Sequence, residues 1–162
     1  MNQQIIFKYI RQTRTVFAQL LEQLTLEEIN EIPDGFKNNI GWNFGHIAVS
    51  TPGLCYRRTQ VSPDYEIPYS SDYGKGTKPE RWISAEELDS LKGQLISSIQ
   101  QIEADYNKGV FATISPFATS TYGLEMNTIE EVLSAALAHD NLHYGYAMAI
   151  RRTLEGEKQK KS

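Results

Sequence analysis

Residues 127–154 place apolar side chains at three- and four-residue intervals: Ile129, Val132, Ala136, Ala147, Ile150 and Leu154 fall on one stripe. That spacing predicts one long α-helix with a single buried face. Such a face must be covered by other elements, and helices on helices are the simplest cover. The same stripe runs through His139 and His143, two titratable side chains where apolar ones belong. One segment therefore constrains both the fold and the chemistry.

Three more helical patterns supply the cover. The first spans about Gln3 to Leu24, with Ile6, Tyr9, Ile10, Thr13, Phe17, Leu20 and Leu24 on its apolar face and Gln12, Arg14, Gln19 and Gln23 on the other. Thr25 to Glu28 reads as a capped short turn, and Pro33-Asp34-Gly35 breaks the chain. The second helix is capped by Asn38 or Asn39 and continues through Trp42, His46, Ile47 and Leu54 to about Gln60. Pro52 predicts a kink or break within it, because proline removes a backbone donor. Ser84 and Glu87 form a capping box that opens the third helix, whose seam is Leu88, Leu91, Leu95, Ile99, Ile102 and Tyr106. Asn107-Lys108-Gly109 ends it. The fourth helix starts after Asn127, with Glu130 three residues on, and stops near Leu154, with Gly156 marking its end.

Two long connections remain. Residues 61–83 contain Tyr65, Tyr69 and Tyr73, which either cover a pocket or pack the loop onto the bundle. In residues 110–126, Val110 to Ile114 is a candidate extended piece with no evident partner strand. The expectation is an all-α fold, a four-helix bundle with long connecting loops. It forms one domain over residues 1–156, followed by a flexible basic tail, 157–162, holding Lys158, Lys160 and Lys161.

Composition narrows the function classes. The chain has 162 residues and a net charge of −4, with no basic stripe to neutralise phosphates, so no nucleic-acid partner is expected. Cys55 is the single cysteine, which excludes an internal disulfide and points to a reducing, cytoplasmic setting. The start of the chain lacks the features of a signal peptide, and no apolar run approaches the roughly 18 residues that span a membrane. No membrane association is expected.

His139 and His143 are four residues apart, so they lie one turn apart on one helix face. Such a pair can offer two imidazole nitrogens to one ion, and the interiors of bundles are where facing helices build metal sites. Burying two imidazoles without partners costs roughly 1–3 kcal/mol each, a cost that a shared ion relieves. His46 is the only other histidine and lies on another helix, with the small residues Ser50 and Gly53 at i+4 and i+7. Three histidines and an open fourth position form the pattern of a catalytic site, since water or substrate completes the shell. Cys55, nine residues from His46, falls on the opposite helix face and reads as a small buried hydrophobe. Asp140 points away from His139's face, to solvent, to a helix partner or to another helix's histidine. Trp42, four residues before His46, packs beside the site. Tyr146, seven after His139, is a candidate to orient a bound water or substrate, with core packing as its alternative. Arg57, eleven after His46, is a candidate contact for an acidic substrate at the pocket mouth, or else a surface residue.

The stretches Trp42-Asn43-Phe44-Gly45-His46-Ile47-Ala48 and His139-Asp140-Asn141-Leu142-His143-Tyr144-Gly145, the latter followed by Ala147 to Ile150, resemble the DinB-like superfamily, also described as YfiT-type metal-dependent enzymes. The resemblance covers nearly the whole chain. It implies that family's four-helix bundle, commonly a homodimer, with His46, His139 and His143 holding zinc, nickel or a similar ion. Relatives with known activity include low-molecular-weight-thiol S-transferases and a thiol-dependent maleylpyruvate isomerase, which implies a thiol bound at the metal as its thiolate. The family name refers to DNA-damage induction, to which this acidic chain adds no sign of direct DNA binding.

Expectation therefore centres on a metal-dependent enzyme acting on a small molecule, a thiol S-transferase or a hydrolase. No Glu or Asp is spaced to serve as a general base beside the histidines, and the resemblance, by analogy with its thiol S-transferases, places thiol transfer ahead. The alternatives are a non-catalytic, metal-binding stress-response bundle and a metal-free bundle whose histidines bond one another.

Overall fold

The apolar repeats fold as four long helices in the computed structural model, which describes residues 3–161. Helix α1 is Gln3–Glu22, and α2 is the short Leu26–Asn30, held by a full capping box between Thr25 and Glu28. Helix α3 is Ile40–Pro52; Asn39 caps it, its side chain accepting from the Trp42 N–H. The α-helix ends at Pro52 and passes without a loop into a π-helical turn, Gly53–Arg58. Helix α4 is Ser70–Tyr73, α5 is Ala85–Asn107, and α6 is Ile129–Lys161. Strands β1 (Phe117–Ala118) and β2 (Glu125–Met126) pair antiparallel, with Phe117 opposite Met126.

Helices α1 and α3 each pack against both α5 and α6, which makes a four-helix bundle. Its buried side chains form two clusters. One gathers around Phe17, Phe44, Ile47, Leu91 and Ile150, the other around Phe7, Ile10, Cys55, Ile99, Val132 and Leu133. The α5 seam matches the sequence expectation, Leu88, Leu91, Leu95, Ile99 and Ile102 all being buried.

The face expected of α1 is buried at Ile6, Ile10, Thr13, Phe17 and Leu20, but it is wider than expected. Tyr9 is exposed, and Phe7, Arg14 and Leu21 join the buried side, with Arg14 only 2% exposed. Arg14 is therefore not a surface residue: it sits where all four long helices meet. Its Nε donates to Asp140 of α6 at 3.0 Å, Nη1 to the Leu95 carbonyl of α5 at 2.6 Å, and Nη2 to the Thr51 hydroxyl of α3 at 2.7 Å. Asp140 is fully buried. Burial raises its pKa, opposed by the charge and hydrogen bond of Arg14.

Three boundaries also differ from expectation. The cap of α6 is Thr128 with Glu131, not Asn127 with Glu130: the Glu131 N–H donates to Thr128, and Glu131 accepts from the Asn127 and Thr128 amides. Gly156 does not stop α6, which continues to Lys161, with Lys158 bonded to Glu28 of α2. Glycine weakens a helix by only about 1 kcal/mol, which a tertiary ion pair and good neighbours offset. Met1, Asn2 and Ser162, ends of the expected domain and tail, lie outside the described residues. The extended piece of the second connection is not Val110 to Ile114 but the hairpin just after it. No helix among the described residues is long and apolar enough to cross a membrane.

Because Arg14 and Asp140 neutralise each other inside the core, removing one leaves a buried charge. Arg14→Met is expected to lower unfolding free energy by about 3–5 kcal/mol in urea titrations, and the double variant Arg14→Met/Asp140→Leu to regain most of it. A single variant as stable as the parent would show that the pair does not hold the helices together.

Candidate metal centre

Helix α3 is buried along almost its whole length, so His46 is only 7% exposed. On α6 the most buried stripe passes through Ala136, Asp140 and Ala147, each with no exposed surface. His139 and His143 flank that stripe and are partly buried. Asp140 thus occupies the seam itself, and the two histidines turn from its edge toward α3. The three ring centroids are 5.1 Å (His46–His139), 4.6 Å (His46–His143) and 4.5 Å (His139–His143) apart.

One nitrogen from each ring can be chosen so that all three lie within 4.8 Å of one another, a group able to hold a metal ion. Nitrogens at about 2.0–2.1 Å from a tetrahedral ion lie roughly 3.4 Å apart, which modest turning of the rings reaches. Hydrogen bonds prepare two of the rings. His46 Nδ1 lies 2.6 Å from the Tyr73 carbonyl oxygen, which only accepts, so Nδ1 carries the proton and Nε2 the lone pair. His143 Nδ1 lies 2.8 Å from Asn43 Oδ1. Asn43 is oriented by its own amide, which donates to the Asn39 carbonyl at 2.8 Å, so His143 likewise presents Nε2. Backing of this kind is how proteins aim metal-binding imidazoles. His139 Nδ1 is buried without a hydrogen-bond partner among the described residues. The donor set, the tautomers and this one unpartnered nitrogen fit a bound cation better than a hydrogen-bonded histidine cluster.

Burial keeps the rings neutral. It lowers the His46 pKa to about 4, partly opposed by the Tyr73 carbonyl. It lowers that of His143 to about 3, helped by the other two rings, and that of His139 as well. Neutral imidazole is the form that binds metal.

The neighbours are specific. Trp42 stacks on His46 at 4.7 Å with 13° between the planes, as its spacing suggests. Gly45 is required by Tyr73, whose ring would lie 2.4 Å from a Cβ at that position. Tyr73 is in turn tied by its hydroxyl to Glu87 at 2.6 Å. Tyr65 stacks on Tyr56 at 4.0 Å, and Tyr69 meets Tyr73 edge-on. The three loop tyrosines therefore pack the loop down and do not cover the site. Cys55 is fully buried in the second core cluster, its pKa pushed up to about 12 by burial. The Ser50 hydroxyl lies 3.2 Å from His46 Nε2, the nitrogen whose lone pair faces the group.

A cavity of about 510 Å³ opens on one side of the histidines and contains all three in its wall. The π-helical turn, the loop before and after α4 and the tip of the β-hairpin complete it. Arg57 lines this cavity, as expected for a residue at the pocket mouth. Tyr146 does not: it is half-exposed and packs edge-on against Phe36 at 5.9 Å. Seven residues fall about 20° short of two full turns, and Tyr146 also lies beyond the cavity's end of the helix. Asn43 and the Tyr73 carbonyl were not singled out from the sequence. A polar Asn within the apolar run Trp42 to Ala48 was a usable signal, whereas a backbone carbonyl leaves none.

A DinB superfamily family model matches residues 9–147. The chain belongs to that superfamily, and its three-histidine group is compatible with metal binding. Among solved structures, the crystal structure of a conserved protein from Enterococcus faecalis is similar, with a TM-score of 0.65 and 17% sequence identity. The match covers 96% of this chain and 98% of that one, and at this identity it shows a shared fold. No curated protein matches.

Two expectations test the site. Asn43→Ala removes the support of His143 and is expected to weaken zinc binding by about 10–100-fold in competition with a chromophoric chelator. An unchanged affinity would show that Asn43 does not aim that ring. The second concerns acid. The unfolded chain protonates its histidines near 6.5, while the folded chain resists until about 4 at His46. The unfolded state therefore binds more protons in that window, and stability falls as pH falls through it. The metal-free protein should lose on the order of 5 °C in Tm between pH 7 and pH 5. His143→Gln should flatten this dependence, and an equally steep profile in that variant would contradict it.

Proposed function

We propose that this protein is a metal-dependent enzyme that uses zinc or nickel, held by His46, His139 and His143, to transfer a low-molecular-weight thiol to an electrophilic small molecule. The observation that carries this reading is the cavity wall: three neutral imidazoles converge on it, and it contains no Asp or Glu. An ion held by these three histidines would have no fourth His, Cys, Asp or Glu ligand from the cavity wall, which would leave a coordination position open to substrate. A divalent ion there supplies a Lewis acid that lowers the pKa of a bound thiol or water.

Hydrolysis by a free water would call for a base to take its proton as the bond forms, whereas an ion-bound water, like a bound thiol, would already have given that proton to solvent. The nearest carboxylate along α6, Asp140, is fully buried and engaged by Arg14, so it does not serve. Thiol transfer is preferred because the family that this chain resembles includes thiol S-transferases. With an ion held by His46, His139 and His143, a thiol would give its proton to solvent, its sulfur would bond to an electrophilic carbon, and the leaving group would depart with the bonding pair. The chain's residues hold the imidazoles neutral and aim two of them, His46 through the Tyr73 carbonyl and His143 through Asn43.

Elemental analysis of tag-free protein is expected to give about one zinc or nickel per chain, and His143→Ala less than about 0.1. The loaded protein should then speed thiol consumption by an electrophile such as monobromobimane, and the chelated protein should not. Since both core clusters close without the histidines, chelation should leave the helical circular dichroism intact. Unfolding on chelation would favour a structural, non-catalytic ion instead.

A further inference from the structure

The cavity beside the histidines carries a charge pattern that the rest of the chain does not share. The protein has 20 acidic and 16 basic residues, yet this cavity is lined by Arg57, Arg58 and Lys75 and by no acid. None of the three is ion-paired among the described residues, a condition that Arg152 and some other surface cations share, but these three are gathered on one cavity wall without an acid. Each is instead held by a neutral group. Arg57 Nε donates to the Tyr65 carbonyl at 2.7 Å, which fixes the arm and leaves its two terminal nitrogens without a partner among the described residues. Arg58 donates to the Ala118 carbonyl at 3.1 Å and lies over the Phe117 ring. Lys75 Nζ donates to the Ser120 hydroxyl at 2.7 Å, joining two walls of the cavity.

Positioned cations without counter-charges, in a cleft with low-dielectric walls, focus a positive potential into it. A divalent ion on the histidines adds to the same field. From this arrangement we infer that the cavity selects an organic anion, a thiol carrying carboxylate groups, with Arg57 and Lys75 as the residues that determine the preference. The sulfur end meets the histidines, and the carboxylates meet the cationic wall, where the fork of Arg57 matches a carboxylate in two-point contact. The inference rests on the metal-dependent reading given above and names the substrate class of that site.

The test compares two thiols of one skeleton, 2-mercaptosuccinate and its neutral dimethyl ester, titrated calorimetrically into the zinc-loaded protein. The dianion is expected to bind at least about tenfold more tightly at low salt, with the advantage shrinking as salt is raised. The double variant Arg57→Gln/Lys75→Gln should bring the ratio close to one while its zinc content stays that of the parent. Equal affinities in the parent, or an unchanged ratio in the variant, would overturn the inference and leave the metal reading standing. A protein that takes up no zinc would sink the metal reading. The charge preference is then read on the metal-free protein with succinate against dimethyl succinate, where equal binding again overturns it.

Discussion

The guanidinium of Arg14 is the point on which the bundle turns. It comes from α1 and bonds directly to side chains or backbone of α3, α5 and α6. An ion in a protein core is costly unless its partners are placed to receive it, and a guanidinium offers its donors in a rigid plane. Few helix rotations bring a carboxylate, a carbonyl and a hydroxyl to that plane together. The pair therefore fixes how α6 is turned against α1 and α3. Because Asp140 directly follows His139, it fixes the direction of the histidine-bearing face as well. Apolar packing alone, tolerant of small rotations, would define that direction less sharply.

The histidines can be both buried and reachable because they stand at the flank of the seam. A ligand pair in the centre of the α6 stripe would be enclosed by α1 and α3, with no way in. Displaced to the edge by Asp140, the imidazoles keep enough burial to stay neutral and still face a cavity. The π-helical turn after Pro52 contributes to the same end. It continues the chain along the cavity and brings Arg57 and Arg58 to its wall. A π-turn at such a place is a common companion of function.

Much of this was legible in the sequence, for identifiable reasons. The seams of α5 and α6 obey helical periodicity, and the three histidines stand out against an apolar background, so bundle and ligand group could both be anticipated. Arg14 could not, because a charged residue inside a seam is indistinguishable by periodicity from one on the adjoining polar face. Its burial depends on Asp140, a residue 126 positions away. Choosing Tyr9 for the inner face of α1 was the same error in reverse. Gly156 misled because a stop signal of a few tenths to one kcal/mol yields to tertiary contacts. Counting helical intervals succeeded for Arg57 and failed for Tyr146. The interval decides only which way a side chain leaves the helix, and the surrounding elements decide whether a cavity is there to receive it.

That limit explains why the chemistry is harder to read than the fold. The imidazoles stand on regular helices, but what aims and surrounds them comes from irregular chain. The Tyr73 carbonyl sets the tautomer of His46, and it arrives from the 61–83 connection because Gly45 leaves room for the Tyr73 ring. Lys75 comes from the same connection and Ser120 from the hairpin, and their bond spans the cavity. These segments bury Ile67, Tyr73, Ile83 and Phe117 at irregular intervals, so no periodic pattern records their position. A protein built this way can alter its choice of ligand through loop residues while the Arg14–Asp140 pair and the histidine group stay as they are. Ligand preference at the cavity is thus set apart, physically, from the stability of the bundle and from the placing of the histidine group.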